Sequence, residues 1–307
     1  MPESTRLRIA LIGLGDIARK AYLPLMAAYP DVDPVLCTRQ TEVLSRLADR
    51  YRIAETYASL DELLARPPAA AMVHAATDSH VAITLRLLEA GIPVFVDKPL
   101  SYSLEGADRI VAAARDKDVP LFVGFNRRYA PLIRALRDAG TPLHIHWQKN
   151  RTALPGDPRT FVFDDFIHVV DGLRFLAPGP VENLRVHAHY AANQLANLQV
   201  HWTQGDILLT GGMNRIAGRT EERIEYFTDG HTWRLDNLHA GSHYHAGEIT
   251  RLGFDHWEPT LTKRGFSDML DAWIATVRSG CADAAMLEDV RLTHALCEDI
   301  VERLRTT

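Results

Sequence analysis

The chain has 307 residues, enough for two domains that each bury their own core. Its apolar fraction of 47%, charged fraction of 24% and net charge of −5 are those of an ordinary globular protein and argue against nucleic acid as a partner. The opening MPESTRLR lacks the apolar core of a secretion signal, and no apolar run approaches a membrane span, so no membrane partner is expected. Cys37, Cys281 and Cys297 are too few and too scattered for a disulfide framework or a zinc site, so a reducing cytoplasm is the expected home.

The first 125 residues alternate strand and helix. RLRIALIGLG predicts a strand near Leu7–Ile12, then a glycine turn and a helix in which Pro24 forces a kink or a fresh start. VDPVLC predicts a second strand, and residues 41–51 a helix. Ser59 and Glu62 have capping-box spacing and start a short helix that Pro67-Pro68 ends. AAAMVHAA is a third strand, followed by a helix over 80–90 with Val81, Leu85 and Leu88 on one face. GIPVFVDKPL supplies a fourth strand, residues 104–117 a helix, and PLFVGF a fifth strand. This alternation predicts an α/β fold: a doubly wound parallel sheet of Rossmann type over 1–125.

Two places in this half carry chemistry. The first is GLGDIA, a G-x-G-x-x-A turn: Gly13 permits the tight turn, Gly15 lets a pyrophosphate approach the backbone, and Ala18 lets helix and strand pack closely. Its place after the first strand and before a helix predicts dinucleotide binding, against the alternative of a tight turn with no ligand. The second is Asp97-Lys98-Pro99 at the carboxyl end of the fourth strand, the sheet edge where open α/β folds bind ligands. Lys98 is either a solvated strand-end lysine or a site residue. At the end of the second strand no carboxylate precedes Glu42, whereas Thr38 and Arg39 can meet a 2′-phosphate. The cofactor expected is therefore NADP, with NAD the alternative.

After residue 125 the pattern changes. GFNRRYAPLIRALRDAG ends in a helix closed by Gly140, TPLHIHWQKNR is a strand, and FDDFIHVVDGLRFL is a helix. Strands follow near 182–192, 195–204, 206–215, 222–228 and 231–236, with hairpin turns at Gln204-Gly205-Asp206 and Asp229-Gly230. Helices near 265–279 and 285–305 close the chain. Residues 126–307 thus read as an α+β domain on a mostly antiparallel open sheet, for substrate binding and dimerisation.

GLGDIARKAYLP, AATDSHVAITLRLLEAGIPVFVDKPL, GFNRRYAP and DDFIHVVD occur in this order, followed by RIAGRTEERIEYFTDG and RGF. Together they resemble the Gfo/Idh/MocA family of NAD(P)-dependent oxidoreductases, and in detail its MviM-like branch. The resemblance implies a Rossmann domain followed by an α/β domain with a substrate pocket and often a dimer interface. It puts Lys98 at the family's Glu-Lys-Pro lysine and Asp164 and His168 at its D-x-x-x-H, as catalytic residues. Asp171 matches the acidic residue three further on and is expected to fix a neighbour. Cofactor contacts are implied for Asp16, Ile17, Ala76, Thr77, His80, Asp97, Lys98, Asn126 and Arg127 beside Gly13, Gly15, Thr38 and Arg39. Read from residues alone, His168 is first a core histidine, Asp164 a helix N-cap that can also serve a site, and Asn126 and Arg127 either a surface loop or site residues. Two departures stand out: Asp97 replaces the usual Glu, and Phe161-Val162-Phe163 replaces a Gly-Gly pair, which predicts a pocket more apolar on one side.

His239, His243, His245 and Glu248, with His144, His146, His187 and His189, invite a metal reading; they are read instead as face or interface histidines, and no metal is expected. The function expected is hydride transfer between nicotinamide and a small polar alcohol or ketone metabolite by a homodimer or higher homo-oligomer. Either Lys98 or His168 is the acid–base group. The alternative is an NAD(P)-binding regulator or redox sensor without turnover.

Overall fold

The computed structural model describes residues 6–306. They form two compact units, one holding the residues up to Gly124 together with Met269–Arg291, the other Phe125–Asp268 with the residues from Leu292 on.

The first unit is built on six strands: β1 (Leu7–Ile12), β2 (Val32–Cys37), β3 (Thr56–Tyr57), β4 (Ala70–Val73), β5 (Val94–Val96) and β6 (Leu121–Val123). Their order is β3-β2-β1-β4-β5-β6 and every pairing is parallel. Strands covered on both faces need apolar side chains throughout, and AAMV, VFV and LFV are buried at every position. The strand order reverses between β1 and β4, where such sheets open a crevice at the carboxyl ends. β3, absent from the sequence reading, is an edge strand of two residues, too short to show a period.

Local chemistry sets the helix ends. Ser59 Oγ accepts the Glu62 N–H at 3.2 Å while the Glu62 carboxylate accepts the Ala58 N–H at 3.0 Å, which starts helix Leu60–Leu64. Ser103 Oγ accepts from Gly106 at 3.1 Å and opens helix Leu104–Lys117. Pro24 makes the fresh start anticipated for it: a wide π turn over Ala18–Tyr22 gives way to an α-helix over Leu23–Ala28 with the proline in its first turn.

The second unit carries eight strands: β7 (His144–Asn150), β8 (Glu182–Ala191), β9 (Gln194–Gln204), β10 (Ile207–Asn214), β11 (Glu221–Thr228), β12 (His231–Asp236), β13 (Ala240–His245) and β14 (Glu248–Leu252). Their order is β14-β13-β12-β11-β7-β10-β9-β8, antiparallel except for β7 beside β10. Along β7, Ile145, Trp147 and Lys149 are buried while His144, His146, Gln148 and Asn150 are half-buried on the other face. Helix Ile167–Leu176 packs on the buried face; a Cβ on Gly172 would stand 2.2 Å from Trp147 Cζ3, so only glycine admits the indole there. The sequence reading stopped at β12. β13 and β14 follow, joined at Ala246 and Gly247 with φ of 50° and 83°, the pair of positive values a tight hairpin needs. Among the described residues no helix is long and apolar enough to cross a membrane.

Candidate functional site

In the first unit the chain leaves β1 through Gly13, whose φ is +87°; a Cβ here would stand 2.4 Å from the Ala75 nitrogen. Only glycine fits that turn. Gly15 is the opposite case: nothing lies within 4 Å of the place a Cβ would take, so its backbone is open to a ligand. Ala18 is fully buried where the helix meets the sheet. These are the three separate demands of a pyrophosphate-binding turn.

The turn forms one wall of a cleft of ≈ 730 Å³. Gly13, Gly15, Thr38, Arg39 and Ala76, all expected at a cofactor, line it. So do Cys37, Gln40, His74, Asp78 and Ser79, which sequence reasoning passed over although His74 directly follows β4 at the ligand edge. The exposed Arg39 guanidinium makes no hydrogen bond or ion pair among the described residues. Thr38 Oγ1 accepts the Gln40 N–H at 3.4 Å, which folds the end of β2 over. Asp16, Ile17, Thr77, His80, Asp97 and Lys98 are not among the lining residues.

Asp16 instead pairs with Lys20 at 2.8 Å, an exposed contact one helical turn on. His80 is a buried strut: Nδ1 lies 2.8 Å from the Pro99 carbonyl and Nε2 2.9 Å from that of Ala75, so it ties the segment after β5 to the segment after β4. Asp97 is buried beneath Lys98. Its Oδ1 accepts the Lys98 N–H at 2.9 Å and the Tyr22 hydroxyl at 3.1 Å. Burial pushes the Asp97 carboxyl up from its ordinary value, against the pull of Lys98 and His80. The shorter Asp in place of Glu is thus matched to a tyrosine from the glycine-turn helix, and Lys98 stands half-buried two residues beyond β5.

In the second unit the helical segment begins earlier than the sequence reading placed it. Asp157, not Asp164, is the N-cap: its carboxylate accepts the N–H groups of Arg159 and Thr160 at 2.9 and 3.1 Å, with Pro158 next. Phe161, Val162 and Phe163 are fully buried, so they build core rather than the apolar pocket wall expected of them. A π turn over Val162–Phe166 then leads into helix Ile167–Leu176. From Phe161 to Arg174 every residue is buried except Asp164 and His168. These two polar residues, four apart, are the half-buried positions of an otherwise enclosed helical segment. Asp171, one turn on, takes the guanidinium of Arg128 (Nε to Oδ2, 2.9 Å) and the Thr293 hydroxyl (3.2 Å); it fixes neighbours, as expected.

Asn126 and Arg127 are not a surface loop; they are 3% and 4% exposed. Asn126 Nδ2 donates to the Arg264 carbonyl at 2.7 Å. Arg127 grips Glu222 with Nε and Nη2 at 2.7 and 2.8 Å, and Trp147 Nε1 donates to the same carboxylate at 3.0 Å. Beside this pair Asp165 binds Lys149 and, at 2.9 and 3.1 Å, Arg151. Burial and the neighbouring Arg127 push the Lys149 amine down to about 7, against Asp165. Sequence reasoning missed Lys149, Asp165 and Glu222, because charged residues on a strand or helix read as solvent-facing until the core is known.

The histidines of β12 and β13 form a stack on one face of the sheet: His231 lies 2.9 Å from His243 by their ring nitrogens, and its ring centroid is 3.9 Å from that of His245. Among the described residues no group of three or more His, Cys, Asp or Glu side chains is arranged to hold a metal ion.

The oxidoreductase family with the NAD-binding Rossmann fold matches residues 7–125, and the YceM-like C-terminal domain matches residues 132–245. YceM of Salmonella typhimurium is 32% identical over 96% of this chain and 98% of its own length. A Gfo/Idh/MocA family oxidoreductase of known crystal structure from Vibrio cholerae superposes with a TM-score of 0.91 at 38% identity, over 97% of this chain and 99% of that one. A UDP-N-acetylglucosamine 3-dehydrogenase from Acidithiobacillus ferrooxidans is 25% identical over 80% of each chain. The chain belongs to the Gfo/Idh/MocA family of NAD-binding oxidoreductases, in its YceM-like, or MviM-like, branch.

Proposed function

We propose that the protein interconverts a secondary alcohol and the matching ketone, or an imine-like relative, on a small polar metabolite, with NADP(H) preferred to NAD(H). The observation that carries this reading is the helix around Asp164 and His168: buried at every other position from Phe161 to Arg174, it leaves only an acid and a base, four residues apart, half-buried rather than enclosed. A protein that merely sensed a nucleotide would have no use for that pair. The relative from Acidithiobacillus, named for the oxidation of a sugar hydroxyl, supports the alcohol class.

The cleft residues fit a dinucleotide, since Gly13 and Gly15 leave the backbone bare where a pyrophosphate must approach. Bound nicotinamide supplies the hydride acceptor or donor. Thr38 and Arg39 hold the adenosine end, Arg39 as a free guanidinium suited to a 2′-phosphate. Lys98, its backbone fixed by Asp97, or His168 takes the hydroxyl proton in oxidation and returns it in reduction, and Asp164 orients His168 or a substrate hydroxyl. The test is Lys98→Met and His168→Asn in turnover with NADPH and a panel of small polyols and keto compounds. Loss of about 10² or more in kcat with cofactor affinity unchanged supports the acid–base roles, and turnover within about twofold of the parent in both variants removes them.

A further inference from the structure

The second unit holds more buried positive charge than its own carboxylates neutralise. Asp165 is shared by Lys149, Arg151 and, at 3.5 Å, Arg215. Glu222 is taken by Arg127 through both oxygens. Arg264 is left over. Its backbone is pinned: the carbonyl accepts from Asn126, and Gly265 beside it (φ +80°) leaves so little room that a Cβ would stand 2.3 Å from the Asn126 carbonyl. Its half-buried guanidinium nevertheless has no hydrogen bond or ion pair among the described residues. The charges that bear on it are Arg127 and Arg151, both repulsive, against Glu222 alone. Burial and these cations pull the Arg264 guanidinium down from its ordinary value.

Holding an unpaired guanidinium among like charges, partly out of water, is unfavourable unless something else compensates. A planar fork with free donors, fixed at its backbone and backed by further cations, is suited to an oxyanion. The cluster is also close in the chain to the half-buried pair Asp164 and His168, since Asp165 follows Asp164 and precedes His168 by three residues, and Asp164 bears on Arg215.

We propose that Arg264, backed by Arg151 and Arg127, is an anion subsite that receives a carboxylate or phosphate group of the substrate. This rests on the reading of the protein as a dehydrogenase and narrows its substrate to an anionic hydroxy or keto compound.

The test reads binding, not turnover. Inorganic phosphate and acetate are titrated into the full chain saturated with NADPH, so that the nucleotide cleft is filled. The arginine Nε–H resonances are followed by NMR, with that of Arg264 identified by its loss in Arg264→Gln. The expected result is saturable movement of that resonance in the parent by one anion or both, with affinity read by calorimetry about tenfold or more weaker in Arg264→Gln and largely kept in Arg264→Lys. The anion that responds tells carboxylate from phosphate. No movement with either, or equal affinity in Arg264→Gln, overturns the subsite. Turnover separates the two readings. Turnover of hydroxy acids or hydroxy phosphates unaffected by Arg264→Gln would keep the dehydrogenase and remove the subsite. Binding that depends on Arg264, with no alcohol turned over, would keep the subsite and remove the dehydrogenase.

Discussion

Tyr22 donates its hydroxyl to Asp97 Oδ1 across 3.1 Å, joining the helix behind the glycine turn to the strand end that presents Lys98. Burial pushes the tyrosine phenol well up, and the Asp97 charge adds to this, so Tyr22 remains a donor at any physiological pH. Tyr22→Phe leaves a buried carboxyl oxygen with the Lys98 N–H as its remaining bond of the two. The expected cost is about 1–3 kcal/mol of stability, the scale of an unsatisfied buried polar group. Urea unfolding at neutral pH measures it, and an unchanged midpoint would show that the bond contributes nothing.

Cofactor choice is predicted to rest on Arg39. Arg39→Ala should weaken NADPH about tenfold or more and barely touch NADH, and added salt should narrow the gap in the parent protein because part of it is charge pairing. Nicotinamide fluorescence titrations decide the matter. Tighter NADH binding by the parent, or equal losses in the variant, would remove the assignment.

His74 predicts acid sensitivity. It is 5% exposed, its ring stacks on Tyr22 at 4.1 Å, and neither ring nitrogen has a hydrogen-bond partner among the described residues. Burial pushes it down to about 3, helped by His80. The unfolded chain protonates this histidine near pH 6.5, so between about 6.5 and 3 the unfolded state binds more protons. The His74 contribution is therefore complete above pH 6.5 and lost as pH falls, at up to about 1.4 kcal/mol per pH unit. His74→Phe should flatten that part of the stability curve in denaturant titrations at stepped pH. An unchanged slope would show that His74 titrates normally in the fold.

The Arg127–Glu222 pair predicts a large structural effect. Arg127 and the other cations hold the Glu222 carboxylate well below the usual range against burial. Glu222→Gln leaves the Arg127 guanidinium buried without a counter-charge, at a cost of about 3–5 kcal/mol. Thermal unfolding should show the loss while Glu221→Gln, an exposed-side neighbour, shows little. Similar melting of the two variants would mean that the pair is not a net support.

Assembly is predicted from the other face of the eight-stranded sheet, where His144, His146, Gln148, Asn150, Gln199 and Thr210 are half-buried on strands whose opposite face carries the helices. A flat, mixed surface of this kind suits a second copy of the chain. Light scattering at micromolar concentration should report a dimer or a larger even assembly, and Gln199→Glu should shift it toward monomer. A monomeric parent protein contradicts this.

The two sheets were legible because both rest on periodicity: continuous apolar runs for the buried parallel strands, alternation for β7 to β12. β3 and β14 escaped because edge strands are short or polar, and β13, between β14 and β12, because AGSHYH is largely polar and shows little alternation. The glycine turn could be read down to single residues, since each glycine answers a separate steric demand. His80 and Arg127 could not: a side chain that bonds across 19 or 95 residues leaves no trace in local spacing. Asp157-Pro158 was a readable helix start, passed over for Asp164 seven residues later.

The central claim, hydride transfer to a carbonyl on a small polar metabolite, is tested most directly with NADPH deuterated at C4 and a panel of keto acids, keto phosphates and neutral ketoses, with mass spectrometry of the products. The account predicts deuterium on the new carbinol carbon of at least one anionic product, falling by about 10² or more in rate with Lys98→Met. Protein that binds NADPH yet transfers no deuterium to any of them would contradict it.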